Sequence, residues 1–218
     1  MNAPIGDSWN RIEAWLAQHA PATFAGLEAP AAPEAIEAAE TAVRMPFPDE
    51  LRHSLRRHDG TGYHGLLAPF YRLQSAQEIA ATWELHVAVH EQLSPPDGDE
   101  DESAPPSDHG PWWHRKWIPF AADDGGDHLV IDQRPSPVRG RVGLAARDDG
   151  GHFRQRSAEA SLAALFEATA TALETGDRLD GYRPLVDGEG ELDWEHPPVV
   201  PQPQVWQGRG RRAAESTP

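Results

Sequence analysis

WIPFAADDGGDHLVID, Trp117 to Asp132, is the stretch whose reading decides the fold. Trp117-Ile118-Pro119-Phe120-Ala121 is short and apolar, and His128-Leu129-Val130-Ile131-Asp132 is rich in β-branched and aliphatic residues, so both read as strands. Between them, Asp123-Asp124-Gly125-Gly126-Asp127 reads as a turn, because Asp-Gly and Gly-Gly supply the positive φ that a hairpin connection needs. The turn gathers three carboxylates at one sheet edge, and Asp132 adds a fourth where the second strand closes. These carboxylates either do chemistry, bind a partner or fill a turn.

Working outward, Arg141 to Ala146 reads as another strand, and Asp148-Asp149-Gly150-Gly151 as a second acidic hairpin turn leading into His152-Phe153-Arg154. Upstream lie Trp112 and Trp113. On a strand Trp113 and Trp117 share a face while Trp112 points the other way. Trp117 is expected in the core, and Trp112 or Trp113 as an exposed aromatic contact beside the carboxylates. Ser94 to Pro111 differs in kind: it holds five prolines and Asp97, Asp99, Glu100, Asp101, Glu102 and Asp108, with no aliphatic residue larger than Ala. It cannot bury enough apolar area to offset its ordering entropy and reads as a mobile acidic insertion.

The N-terminal third is helical. Trp9, Ile12, Trp15 and Leu16 fall on one helix face with Asp7 or Ser8 as cap; Pro33 to Arg44 and Asp49 to His58 follow as two further helices. Asp59-Gly60 stops the third, and a glycine-rich loop carrying Tyr63 and His64 leads to short strands around Leu66-Leu67 and Phe70 to Leu73. Ser75 with Glu78 is a capping-box pattern opening a helix to about Gln92. Ser157 is expected to cap a last helix that ends at Gly176. Hairpins beside helices, without βαβ alternation, predict α+β: one antiparallel-rich twisted sheet packed with N-terminal helices and a C-terminal helix. The domain is expected over 1–176, with the insertion at 94–111, followed by a Pro-rich, largely irregular tail over 177–218.

Composition excludes several functions. Lys+Arg 19 against Asp+Glu 35 leaves a net charge of −16, a field that repels nucleic acid and anionic lipid and favours basic partners. Without cysteine there is no thiolate nucleophile, thiolate metal site or disulfide. No apolar run approaches a membrane span, and the first residues lack a signal-peptide pattern, so a cytoplasmic location is expected.

The order and spacing of these pieces resemble the SUKH superfamily, which includes fungal Smi/Knr cell-wall-synthesis regulators and many bacterial immunity proteins. The matching residues are Phe47-Pro48-Asp49-Glu50-Leu51, His58-Asp59-Gly60, Phe70-Tyr71-Arg72-Leu73 feeding a capped helix, and Trp117-Ile118-Pro119-Phe120-Ala121 followed by Gly126-Asp127. The likeness covers roughly Trp9 to Thr175; the insertion and the tail depart from it. It implies an α+β fold and a protein-binding role without catalysis or cofactor, with Gly60, Trp117, Pro119 and Gly126 as structural positions. For bacterial members it implies neutralisation of toxins, often nucleases.

The chemical alternatives are weaker in spacing. His86 and His90 stand i, i+4 on a helix, but position 94 is Ser where a zinc-protease signature needs a second His. Asp123, Asp124, Asp127 and Asp132 could ligate Ca²⁺ or Mg²⁺, yet without D-x-D-x-D-G spacing. No nucleophile elbow or phosphate loop is present. The leading expectation is an immunity-type protein holding a basic toxin domain through Asp123, Asp124, Asp127, Asp148, Asp149, Trp112 and Trp113. The alternatives are a regulatory scaffold for cell-wall assembly and a metal-dependent hydrolase.

Overall fold

The computed structural model describes residues 4–93, 108–154 and 157–196. Four helices come first: α1 (Ile5–His19), α2 (Pro21–Ala25), α3 (Pro33–Ala42) and α4 (Asp49–Arg57). Then follow β1 (Arg72–Leu73), α5 (Ala76–Leu93), β2 (Trp117–Ala122), β3 (His128–Asp132), β4 (Val142–Ala146), β5 (Gly150–His152), α6 (Leu162–Thr175), β6 (Arg183–Val186) and β7 (Leu192–Glu195). β1 to β5 form one antiparallel sheet in sequence order, and β6–β7 a separate hairpin. The α+β expectation holds.

Local chemistry explains the boundaries. The capping box before α5 is complete: Glu78 N donates to Ser75 Oγ at 3.2 Å and Ser75 N to Glu78 Oε2 at 2.8 Å. Proline cannot donate to a sheet ladder, so in the central strand β2 the register with β3 shifts between Pro119 and Ala121. Gly126 closes the β2–β3 turn at φ 91, a left-handed conformation that a Cβ disfavours.

Register assigns the faces. Arg72, Ala122, His128, Ala145 and Gly151 are successive cross-strand partners and share one face. α5 covers it: Glu78 meets Arg72 at 2.8 Å, and His86 stacks on Trp113 at 4.3 Å with its ring edge-on to His128. On the opposite face Leu129 and Leu144 are paired and line a cavity of about 220 Å³ with Leu165 of α6. Behind α6 lies α1, where Trp9 packs on Phe166 at 5.2 Å and Arg11 pairs with Glu167 and Glu174, each at 2.6 Å.

Several expectations change. Helix α1 begins at Ile5 with Pro4 before it, so Asp7 and Ser8 lie within the helix and neither caps it, and Leu67 makes only an isolated bridge with Tyr71 where a strand is expected. The folded body does not end at Gly176, because β6–β7 docks on α2 with Leu192 and Trp194 buried and Leu192 N donating to Thr23 Oγ1 at 2.8 Å. The acidic insertion is shorter than 94–111. Asp108 to Pro111 run along β5, with Phe153 N donating to Asp108 O and Gly110 N to Gly151 O at 2.8 and 2.7 Å, while 94–107 lie outside the described residues. The cap of α6 is Ser161, whose Oγ accepts from Ala164 N at 3.1 Å; Ser157 opens a short 3₁₀ turn instead. The remainder of the expected tail, 197–218, lies outside the described residues.

Trp117 is fully buried, and Gly151 lies directly against its ring, so a Cβ there would fall inside the indole's van der Waals envelope. Gly151→Ala is therefore expected to destabilise by about 1–3 kcal/mol, lowering Tm by roughly 2–4 °C per kcal/mol for a chain of this size. An unchanged melting curve would show that the sheet gives way at no cost.

Candidate functional site

Alternation of strand direction puts the β2–β3 and β4–β5 turns at the same end of the sheet. The carboxylates there have separate tasks. Asp123 Oδ1 accepts from Asp127 N at 2.8 Å, which closes the first turn on itself. Asp127 Oδ1 accepts from Arg147 N at 2.8 Å, tying the first turn to the second. Both residues are half-buried. Asp124, Asp148 and Asp149 are exposed; Asp148 faces Arg147 at 3.7 Å and Asp149 faces His152 at 3.1 Å. Such exposed pairs add little stability, so these three carboxylates chiefly present charge to solvent. The structure thus brings Asp123, Asp124, Asp127, Asp148 and Asp149 to one surface.

The tryptophans divide differently from expectation. Trp112 is half-buried at that surface, donating Nε1 to Arg147 O at 2.8 Å. Trp113 is only 1% exposed and stacks on His86, so it is a core residue and not a partner contact. Packed against His86 of α5 and Trp117 of β2, its large apolar ring is removed from water. Arg147, which holds the two turns together, was not singled out from sequence; its position directly before Asp148-Asp149 was the available signal.

Asp132 belongs to the other end of the hairpin and is fully buried. Arg134 clasps it in a fork, Nε to Oδ1 at 2.9 Å and Nη2 to Oδ2 at 2.8 Å, and Arg141 Nε reaches Oδ2 at 3.3 Å. The guanidinium of Arg141 lies 4.3 Å from the Phe153 ring centroid, and that of Arg134 lies 5.5 Å from both Trp117 and Phe153. With two cations already on it, Asp132 is in no position to share a metal with the turn. Among the described residues no group of three or more His, Asp or Glu converges on a metal position. His86 gives its Nδ1 to Thr82 O at 2.8 Å and its faces to Trp112 and Trp113, which leaves it a packing residue.

The buried histidines have displaced protonation. His128 is pushed down to about 4 by burial, then by neighbouring His86; His114 is pushed down to about 4 by burial, then by Arg134. Burial raises the Tyr71 phenol above its ordinary range, with Asp123 and Asp127 acting in the same direction.

A family model described as SMI1 / KNR4 family (SUKH-1) matches residues 30–163, a span holding α3 to α5, the five-stranded sheet and both acidic turns. The chain belongs to this family. It is 27% identical over 165 residues to a cell wall assembly regulator of Saccharomyces cerevisiae, covering 60% of this chain and 33% of that protein. It is 25% identical over 181 residues to a glucan synthesis regulatory protein of Neurospora crassa, covering 66% of this chain and 34% of that one. The chain thus spans about a third of the length of these relatives. Among the described residues no helix is long and apolar enough to cross a membrane.

Two outcomes follow from the buried groups. Asp132→Ala leaves two cations without their buried anion and is expected to cost about 3–5 kcal/mol; denaturant unfolding measures it, and a loss below about 1 kcal/mol would contradict the clamp. His114 and His128 bind protons in the unfolded chain near pH 6.5 but in the folded one only near 4. The unfolded state therefore gains protons first, so stability is full above about 6.5 and declines as pH falls towards 4. Tm measured across that window should drop, and His128→Asn should flatten the slope.

Proposed function

We propose that this chain is a non-catalytic, cytoplasmic protein-interaction domain that regulates cell-wall assembly by holding a basic partner at its acidic sheet end. The observation that carries this is the joining of two acidic turns through Asp127 and Arg147, with Asp124, Asp148 and Asp149 exposed around the Trp112 edge. A rigid, charged platform with one aromatic edge suits protein recognition. The regulatory reading is supported by the family and by the names of the yeast and Neurospora relatives. Toxin neutralisation is the second reading, favoured by the net charge of −16, since many toxin domains that act on nucleic acid are basic.

Affinity capture with the full chain separates the two. Recovery of wall-synthesis enzymes or their regulators supports the first reading, and a basic toxin domain that loses activity on binding supports the second. With the captured partner, Asp124→Asn/Asp148→Asn/Asp149→Asn should slow association at least tenfold at low ionic strength. The difference should vanish in about 0.5 M salt, where screening is nearly complete. An association rate indifferent to salt and to these substitutions removes the sheet end from the interface.

A further inference from the structure

The loop from Gly60 to Gly65 holds a tyrosine entirely in solvent on a backbone that is tied down on both sides. Tyr63 is 100% exposed, while Thr61, two residues before it, is fully buried. Thr61 N donates to Leu73 O at 3.2 Å, and Thr61 Oγ1 accepts from Leu73 N at 3.0 Å and donates to His64 O at 2.7 Å. Gly60 O accepts from Glu28 N at 3.2 Å. Gly60 itself stands at φ +95, where an added Cβ would meet Leu73 O at 2.9 Å, so this backbone is fitted closely to β1. A large aromatic on such a loop gives contact area with little further ordering cost.

Beside Tyr63 lies an open groove of about 490 Å³, lined by Glu28, Pro30, Asp59, Arg72 and Glu78 among others. Its single guanidinium, Arg72, is already paired with Glu78 at 2.8 Å. Asp59 uses Oδ1 to accept from Ala76 N at 2.7 Å, capping α5. The carboxylate of Glu28 has no hydrogen-bond or ion-pair partner among the described residues, and its Oε1 lies 3.4 Å from where a Cβ on Gly62 would sit, next to Tyr63. The groove therefore carries excess negative charge with an aromatic side chain among its lining residues. That combination favours an organic cation over an anion, because ring and carboxylate both attract positive charge, and a neutral donor gains only the weaker hydrogen bond. Arg72 is also the register partner of Ala122, the residue before the β2–β3 turn, so the groove adjoins the acidic sheet end.

We infer that this groove takes an arginine or lysine side chain from a basic, extended segment of the protein partner. Tyr63 covers the cation and Glu28 pairs with it. The inference rests on the protein-interaction reading above and adds a second contact beside the acidic sheet end.

The test uses the full chain and an acetylated peptide, Gly-Ser-Arg-Gly-Ser-Arg-Gly-Ser, titrated by NMR, with a citrulline-for-arginine peptide as the neutral control. Tyr63 and Glu28 are exposed, so their substitutions leave the fold intact. The arginine peptide should shift the resonances of Tyr63 and of the Gly60–Gly65 loop, and the citrulline peptide should not. Tyr63→Phe should bind within twofold of the native chain, while Tyr63→Ala and Glu28→Gln should each weaken binding at least fivefold. No binding of the arginine peptide, shifts centred on Asp148 and Asp149 alone, or a Tyr63→Ala affinity within twofold of native overturns the inference. A failed cellular capture would remove the regulatory reading and leave this titration standing, so the two failures are distinguishable.

Discussion

One buried carboxylate organises the sheet. Asp132 is held by two arginines from the segment that follows it, and those arginines lie over the rings of Trp117 and Phe153. Because removing either charge would strand the other in a low-dielectric interior, the arrangement specifies a single geometry more than it adds net stability. Its backbone does the same work: Asp132 N donates to Arg141 O and Gly140 N to Asp132 O, so the loop between β3 and β4 must leave and return at one point. That sets the β3–β4 register and, through β4 and β5, brings Gly151 flat against Trp117. Arg141 also reaches Asp108 at 3.5 Å, drawing the incoming chain along the β5 edge that would otherwise stand open.

The far end of the same hairpin is freed for another purpose. With Asp132 holding the interior, the turn carboxylates are not needed for stability, apart from Asp123 and Asp127, which shape and join the turns. Asp124, Asp148 and Asp149 are left facing water. Charge placed on a rigid frame costs no reorganisation when a partner arrives, so long-range attraction and final contact use the same atoms. The Tyr63 loop, pinned through Thr61 to β1, extends that frame sideways.

Much of this was legible in the sequence because the signals were local. The Ser75–Glu78 capping box, the glycine-rich turn and the apolar run at Trp117 each depend on neighbours within a few residues, and each appears where its pattern places it. The β6–β7 hairpin was missed because prolines and acids surround it. Yet Leu192 and Trp194 alternate inward with Asp193 and Glu195 outward, and Asp187-Gly188-Glu189-Gly190 is a turn. The site was half legible. Acidic turns can be read from composition, but their meeting through Arg147 depends on strand order, and the burial of Trp113 depends on α5 packing over the His128 face of the sheet, beside which Trp113 lies. Asp132 looked like a fourth turn carboxylate because its arginine partners become significant only once the loop closes.

The division between an interior clamp and an exposed acidic platform is tested most directly by hydrogen–deuterium exchange of the full chain with and without its captured partner. New protection is expected at the amides of Gly125 to Asp127, Arg147 to Gly150 and the Gly60–Gly65 loop. The amides of Asp132 to Arg141 should be unchanged, since that segment is already held. Protection confined to the α1–α6 face, with the turns exchanging as before, would contradict it.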